Sequence, residues 1–224
     1  ALVRSVSPCP EATDCFLLRY DALNLKTLLK ARCLGQRAKQ LSACGVYPVD
    51  LLSHAVADHS YKKLPAPLSE ALLGLEKKLA VAEDALLIDL TVDRAVAGLI
   101  QEKLKNVSNQ AVRGYFAARS DMLGALSLLR VKRMGRDFAF FREALLPGGT
   151  IDEAKWAVAF EKPETVGALL ETYGRRVKQA ALLAAQDAEK LPALEKAMDD
   201  ALLSGFTPLR RSALSLEPVI GYLL

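Results

Sequence analysis

The stretch FLLRYDALNLKTLLKARCLG at residues 16–35 returns one hundred residues later as FAARSDMLGALSLLRVKRMG at 116–135. Phe16 aligns with Phe116, Arg19 with Arg119, Asp21 with Asp121, Leu28 and Leu29 with Leu128 and Leu129, Lys30 with Arg130, and Gly35 with Gly135, all at an offset of 100. Weaker matches continue the register. VDLLSHAVA at 49–57 pairs with IDEAKWAVA at 151–159 at an offset of 102, and IDLTVDRA at 88–95 pairs with LEKAMDDA at 194–201 at an offset of 106. VRGYF at 112–116 recurs as VIGYL at 219–223, which reads as the opening of a third copy. A repeat of this length is a supersecondary unit that buries its apolar face against its neighbours. The spacing predicts one helical unit over 1–107, a second over 108–216 and the start of a third over 217–224, so the sequence is expected to be part of a larger three-unit protein.

Composition sets the fold class. The chain of 224 residues is 51% hydrophobic but only 6% aromatic, the apolar content being chiefly Leu and Ala with few β-branched residues, which favours helix over sheet. No segment alternates in the manner of a strand. The fold is expected to be all-α. Mean hydropathy is +0.15, yet charges interrupt every apolar run before the roughly 18 to 20 residues that a membrane span needs. The opening ALVRSVSPCPEATDC lacks the apolar core of a signal peptide, so a cytoplasmic location is expected. A net charge of +4 is too small to point to nucleic acid. Cys9, Cys15, Cys33 and Cys44 show no C-x-x-C spacing and read as free thiols in a reducing compartment, with a Cys9–Cys15 bridge as the alternative.

Leu25, Leu28 and Leu29 share one helical face, predicting a helix over about 14–34 that Gly35 stops. Pro48 and Pro67 sit at first-turn positions of helices over about 48–59 and 67–80, and a long helix is expected over about 80–105. After a joint near 106–109, a second long helix should run to about Met134 and stop at Gly135. Thr150 and Glu153 have the spacing of a capping box at the head of a helix over about 151–160. Pro163 should open a further helix over about 163–172, and a longer one from Tyr173 towards Leu203 should kink or break at Pro192. Gly205 and Pro208 should form a loop.

No catalytic constellation emerges. His54 and His59 lie five apart and do not stack as a metal pair, and His54 occupies, at the offset of 102, the place of Trp156. The acid pairs Glu83-Asp84 and Asp199-Asp200 project about 100° apart on a helix and read as solvated surface. Gly148-Gly149 has neither a preceding strand nor a following lysine, so it is a turn and not a phosphate cradle. No metal ligand set and no cofactor site are expected. Asp21 and Asp121 read as members of buried or half-buried ion pairs that orient each helix within its unit. The basic residues Lys26, Lys30, Arg130, Lys132 and Arg133, with Arg136 beside them, form a face near helix ends that is either solvated, set against the helix dipole, or the surface that meets an acidic or polar partner.

RYDALNLKTLLKARCLG, IDLTVDRAVAGLI, SDMLGALSLLRVKRMG with LLPGGTID, and the closing EPVIGYLL resemble the C-type central-stalk component of the A/V-type ATPases, known in eukaryotes as the d-type component. The resemblance runs from about Phe16 to Leu224 and includes Asp21 and Asn24 of a D-x-x-N-L-K motif. It implies an all-helical funnel of three similar units about a pseudo-threefold axis. It further implies a non-catalytic rotor part that seats the central shaft on the membrane proteolipid ring, peripheral to the membrane, without nucleic acid and without a span of its own. A helical scaffold that takes a partner helix in an apolar groove is the rival reading. Gly124 departs from the motif, standing where the first copy has Asn24.

Overall fold

The computed structural model describes residues 4–5, 7–81, 85–206 and 219–220. Glu83-Asp84, Pro208 and most of the expected third copy lie outside the described residues. Among these residues the structure is helical, with short 3-10 turns and no strand. The chain divides into two compact units between Ser108 and Asn109.

The first unit contains α1 (Pro10–Cys33), α2 (Val49–Ala57), α3 (Ala66–Leu79) and α4 (Ala85–Leu104). Pro10 opens α1 earlier than the leucine periodicity suggests, because its fixed φ and missing amide suit the first helical turn. Along α1 the residues Asp14, Lys26 and Lys30 pair with Lys103, Asp93 and Asp89 of α4, so the two helices run antiparallel. Leu68, Leu72, Leu75 and Leu79 of α3 and Ile88, Val92, Val96 and Leu99 of α4 are buried at helical spacing. Those two stripes form much of this unit's apolar core, joined by Leu18, Leu25 and Leu29 of α1.

The second unit contains α5 (Gln110–Arg133), α6 (Phe138–Ala144), α7 (Glu153–Glu161), the single turn α8 (Val166–Leu169), α9 (Arg175–Gln186) and α10 (Leu191–Phe206). Asn109 caps α5 by accepting the Val112 amide at 3.1 Å, so the joint expected near 106–109 is a helix start. Helix α6 is an addition to the elements expected from the sequence. Asp137 heads it with a side-chain cap on Phe140 N, and its buried Phe141 lies against Trp156, Phe160 and Phe138 with ring centroids 5.8, 5.9 and 5.8 Å apart. Pro163 opens a 3-10 turn instead of a full helix, and two such turns flank α8. The expected break near Pro192 falls earlier, at Asp187, whose carboxylate caps the Glu189 amide at 2.9 Å. Pro192 sits in the first turn of α10, where its ring costs no hydrogen bond.

The capping box expected at Thr150 and Glu153 does not form. Asp152 occupies the N-cap of α7 without a side-chain cap, Glu153 pairs with Arg142 at 3.1 Å, and the Thr150 hydroxyl turns inward to Asp121.

Candidate partner interface

The repeat is carried by backbone chemistry. In α1, Leu34 ends the helix, and Gly35 takes φ +60°. The Gly35 amide then donates to Arg32 O at 3.0 Å, and the Gln36 amide to Ala31 O at 2.8 Å. In α5, Gly135 takes φ +66°, its amide donates to Lys132 O at 3.1 Å, and the Arg136 amide to Val131 O at 3.2 Å. Both are Schellman caps, in which a residue in the left-handed region satisfies the last carbonyls of the helix. Both stops fall where the glycines predict them.

Asp21 and Asp121 are fully buried, yet the ion pairs expected for them are replaced by hydrogen bonds to a returning loop. Asp21 accepts the Val46 amide at 2.7 Å and the Tyr47 amide at 3.1 Å. Asp121 accepts the Thr150 amide at 2.9 Å, the Thr150 hydroxyl at 2.6 Å, the Ile151 amide at 3.2 Å and the Tyr173 hydroxyl at 2.5 Å. Each carboxylate fixes the loop entering the next short helix. Glycine precedes the pinned residues in both units, because a Cβ on Gly45 would stand 2.2 Å from Asp21 Oδ1 and one on Gly149 2.3 Å from Asp121 Oδ1. Burial pushes the Asp21 carboxyl up to about 6, against the pull of the two amides, with a further push from Asp14. Burial likewise lifts Tyr47 and Tyr173 up to about 12, reinforced by the neighbouring aspartates.

These contacts correct the repeat register. Gly45, Val46 and Tyr47 correspond to Gly149, Thr150 and Ile151, and α2 begins at Val49 where α7 begins at Glu153. The offset across this segment is therefore 104, and the offset of 102 read from VDLLSHAVA and IDEAKWAVA is displaced by two residues. Burial agrees, since Leu52, Ala55 and Val56 match Trp156, Ala159 and Phe160. Leu52, and not His54, is the counterpart of Trp156. Gly124 now has a physical reason: a Cβ there would meet the Trp156 ring at 2.9 Å and Leu145 at 3.0 Å. In the first unit the smaller Leu52 leaves room for Asn24, whose amide bonds the Ser42 carbonyl and amide, each at 2.8 Å.

The basic residues singled out by the sequence all have partners within their own units. Lys26 meets Asp93 at 2.8 Å and Lys30 meets Asp89 at 2.7 Å. Arg130 pairs with Glu195 on α10, so the Lys30–Asp89 bridge recurs with both charges in place at the offsets of 100 and 106. Arg133 donates to the Ala184 carbonyl in the last turn of α9. Lys132 lies 4.7 Å from the Phe160 ring centroid, and Arg136 lies 5.4 Å from that of Phe140. Lys30 and Arg130 remain about a third and a half exposed, at 36% and 54%, so they keep a face to solvent while bridging helices.

Sequence reasoning missed a polar cluster at the end of α1. Arg32 grips both Glu76 oxygens at 2.8 Å and the Val56 carbonyl at 2.7 Å, while the Tyr61 hydroxyl also donates to Glu76 and His59 Nδ1 lies 3.0 Å from it. Burial alone would raise Glu76, but the bonds from Tyr61, Arg32 and His59 hold it below the usual carboxylate range. The cluster ties three helices of the first unit together. The residues lie far apart in sequence with no shared spacing, and the one cue was the recurrence of a cation at positions 32 and 132. His59 thus serves Glu76, and His54 Nδ1 lies 2.7 Å from the Asp50 carbonyl of its own helix. The four cysteines are free thiols, Cys15 buried and Cys44 exposed. Among the described residues no three His, Cys, Asp or Glu side chains gather where they could hold a metal ion, and no helix is long and apolar enough to cross a membrane.

Two all-helical units share the same glycine caps, carboxylate pins and inter-helix bridge. The family model for the ATP synthase (C/AC39) subunit matches residues 1–224, and the chain belongs to that family of V/A-type ATPase components. No curated protein matches the chain.

Proposed function

We propose that this protein is a non-catalytic central-stalk component of a V/A-type rotary ATPase, seating the central shaft on the membrane proteolipid ring so that rotation passes between ATP hydrolysis or synthesis and ion transport. The match to the family over residues 1–224 carries this reading. The structural chemistry supports it. A torque coupling must resist shear, and long antiparallel helices tied by recurrent ion pairs, buried carboxylate pins and rigid caps supply stiffness along their whole length. In this reading the protein lies on the cytoplasmic side, peripheral to the membrane, and the repeated units belong to a funnel with pseudo-threefold arrangement.

Lys26, Lys30, Arg130, Lys132 and Arg133 are proposed to contribute the partner-facing charge. Their internal partners do not remove that charge from solvent, and partly exposed cations act on association chiefly through orientation and encounter rate. The proposal is tested by reconstituting the rotor from purified shaft, ring and this protein. Stoichiometric incorporation at the junction supports it. Rotors that assemble and couple equally well without the protein refute it, as does calorimetric binding of ATP to the isolated chain at micromolar affinity.

A further inference from the structure

Between the Schellman cap of α1 and the start of α2 the first unit carries a long segment without regular structure, and no residue of 36–48 is buried. We propose that residues 36–48 form a detachable strap, held to α1 by Asn24 and Asp21 and able to open as a unit while the helices beneath stay folded. A loop of this length inside a compact domain is unusual unless it has a role of its own. Apart from the cap bond of the Gln36 amide to Ala31 O, its polar attachments to α1 are local to its second half: Asn24 pairs with the Ser42 backbone through two 2.8 Å bonds, and Asp21 takes the Val46 and Tyr47 amides. Opening exposes the half-buried side chains of Leu41, Val46 and Tyr47 but no fully buried residue of the strap. The cost is set by a few hydrogen bonds, which water replaces in part.

The second unit shows what a fastened version looks like. There the corresponding stretch folds into α6, buries Phe141 and Ala144, and is pinned to Asp121 by three donor groups, the Thr150 amide and hydroxyl and the Ile151 amide. The strap has neither the helix nor the buried aromatic. Its ends are fixed points: Gly35 at φ +60°, matched by Gly135 at φ +66° in the second unit, and Pro48 at the N-cap of α2. Within the strap Gln40 holds φ +57°, a left-handed conformation that a side chain with a Cβ adopts at a cost. Docking thus stores backbone strain that release would relieve. Arg37 and Lys39, both exposed, travel with the strap and would be carried away from the unit when it opens.

Hydrogen exchange followed by mass spectrometry on the full chain tests this. In the wild type, peptides covering 36–48, including the Val46 and Tyr47 amides, are expected to exchange roughly a hundredfold or more faster than α1 and α4, as sub-global opening requires. Asn24→Ala should speed strap exchange by about a further tenfold with α1 and α4 unchanged. Gln40→Gly, which removes the Cβ from the left-handed position, should slow it several-fold, roughly in line with the relief of one strained residue. Strap and helices exchanging together in the wild type, or Asn24→Ala raising exchange equally throughout the unit, would show that opening is global and overturn the proposal. Faster strap exchange in Gln40→Gly would overturn it as well, since the docked form would then not be strained.

Discussion

Asp21 and Asp121 occupy equivalent places and do equivalent work, and at Asp21 the surroundings have a consequence for pH. Asp21 is wholly buried, has two amide donors, and lies near Asp14, which is itself met by Arg4 at 2.7 Å and Lys103 at 3.1 Å. Tyr47 is the other titratable group raised by it. With its carboxyl lifted from 3.8 to about 6 in the folded chain, the native state binds a proton that the unfolded state has already released across that window. The stabilisation is therefore complete below the unfolded value and is lost as pH rises through about 6, by an amount on the order of 2 to 3 kcal/mol. Glu76, held below its ordinary value, acts in the opposite sense in a lower window. The carboxyl carbon shift of Asp21 should titrate near 6, and Asp21→Asn should abolish the fall in denaturation midpoint over that range. A midpoint at the ordinary aspartate value would refute the balance in which burial outweighs the amides. At the neighbouring glycines the expectation is steric. Gly45→Ala and Gly149→Ala should each destabilise by about 1–3 kcal/mol, because the added methyl meets a carboxylate that cannot retreat. Gly114→Ala on α5, where a Cβ meets nothing within 4 Å, should stabilise by roughly 0.5–1 kcal/mol, all three variants being measured by urea titration.

Among the elements, the bridges Lys30–Asp89 and Arg130–Glu195 join α1 to α4 and α5 to α10 at matching places. Both pairs are more than a third exposed, so reversing Lys30 to Glu should cost no more than about 1 kcal/mol, and adding Asp89→Lys should recover most of it. A double-mutant cycle with no coupling would reduce the recurrence to shared ancestry without mechanical consequence. The repeat that reveals these pairs was legible in the sequence because Gly35 and Gly135 mark helix stops that few other residues satisfy, and because leucine spacing reports a buried helical face directly. The class of fold followed from those signals. What the sequence hid was whatever depends on a contact at a distance. The two-residue shift between α2 and α7 was invisible, since the offset of 102 aligns four identical residues over the stretch and the offset of 104 only Ala55 with Ala159, so that the carboxylate pins have to overrule the better sequence match. Helix α6 was hidden by its brevity, and the Thr150–Glu153 box looked sound until Asp121, twenty-nine residues upstream, claimed the hydroxyl. The pairing of Gly124 with Trp156 belongs to the same category, a small residue whose reason lies on another helix.

For the molecule as a whole, the question is whether the cations near the helix ends act only inside their units or also towards the partners proposed for it. Reversal alone cannot separate these, because Arg130→Glu breaks the bridge to Glu195 while it changes the surface. An exchange can. Arg130→Glu combined with Glu195→Arg keeps an ion pair between α5 and α10 but moves the positive charge from one helix to the other. If a partner reads the charge where Arg130 presents it, both the single and the exchanged variants should associate more slowly with shaft or ring, by about tenfold at low salt, and the deficit should shrink as ionic strength rises and the Debye length falls to about 8 Å. The thermal midpoint should fall slightly in the single variant and return in the exchange, since an exposed bridge contributes at most about 1 kcal/mol. Association kinetics by surface plasmon resonance, run beside calorimetric melting at two salt concentrations, give both readouts from the same preparations. Recovery of association together with the midpoint would assign Arg130 to the internal bridge alone and move the search for the partner-facing surface to other residues. Persistent slow association with a restored midpoint places Arg130 on that surface, with the internal bridge holding its guanidinium ready for the encounter.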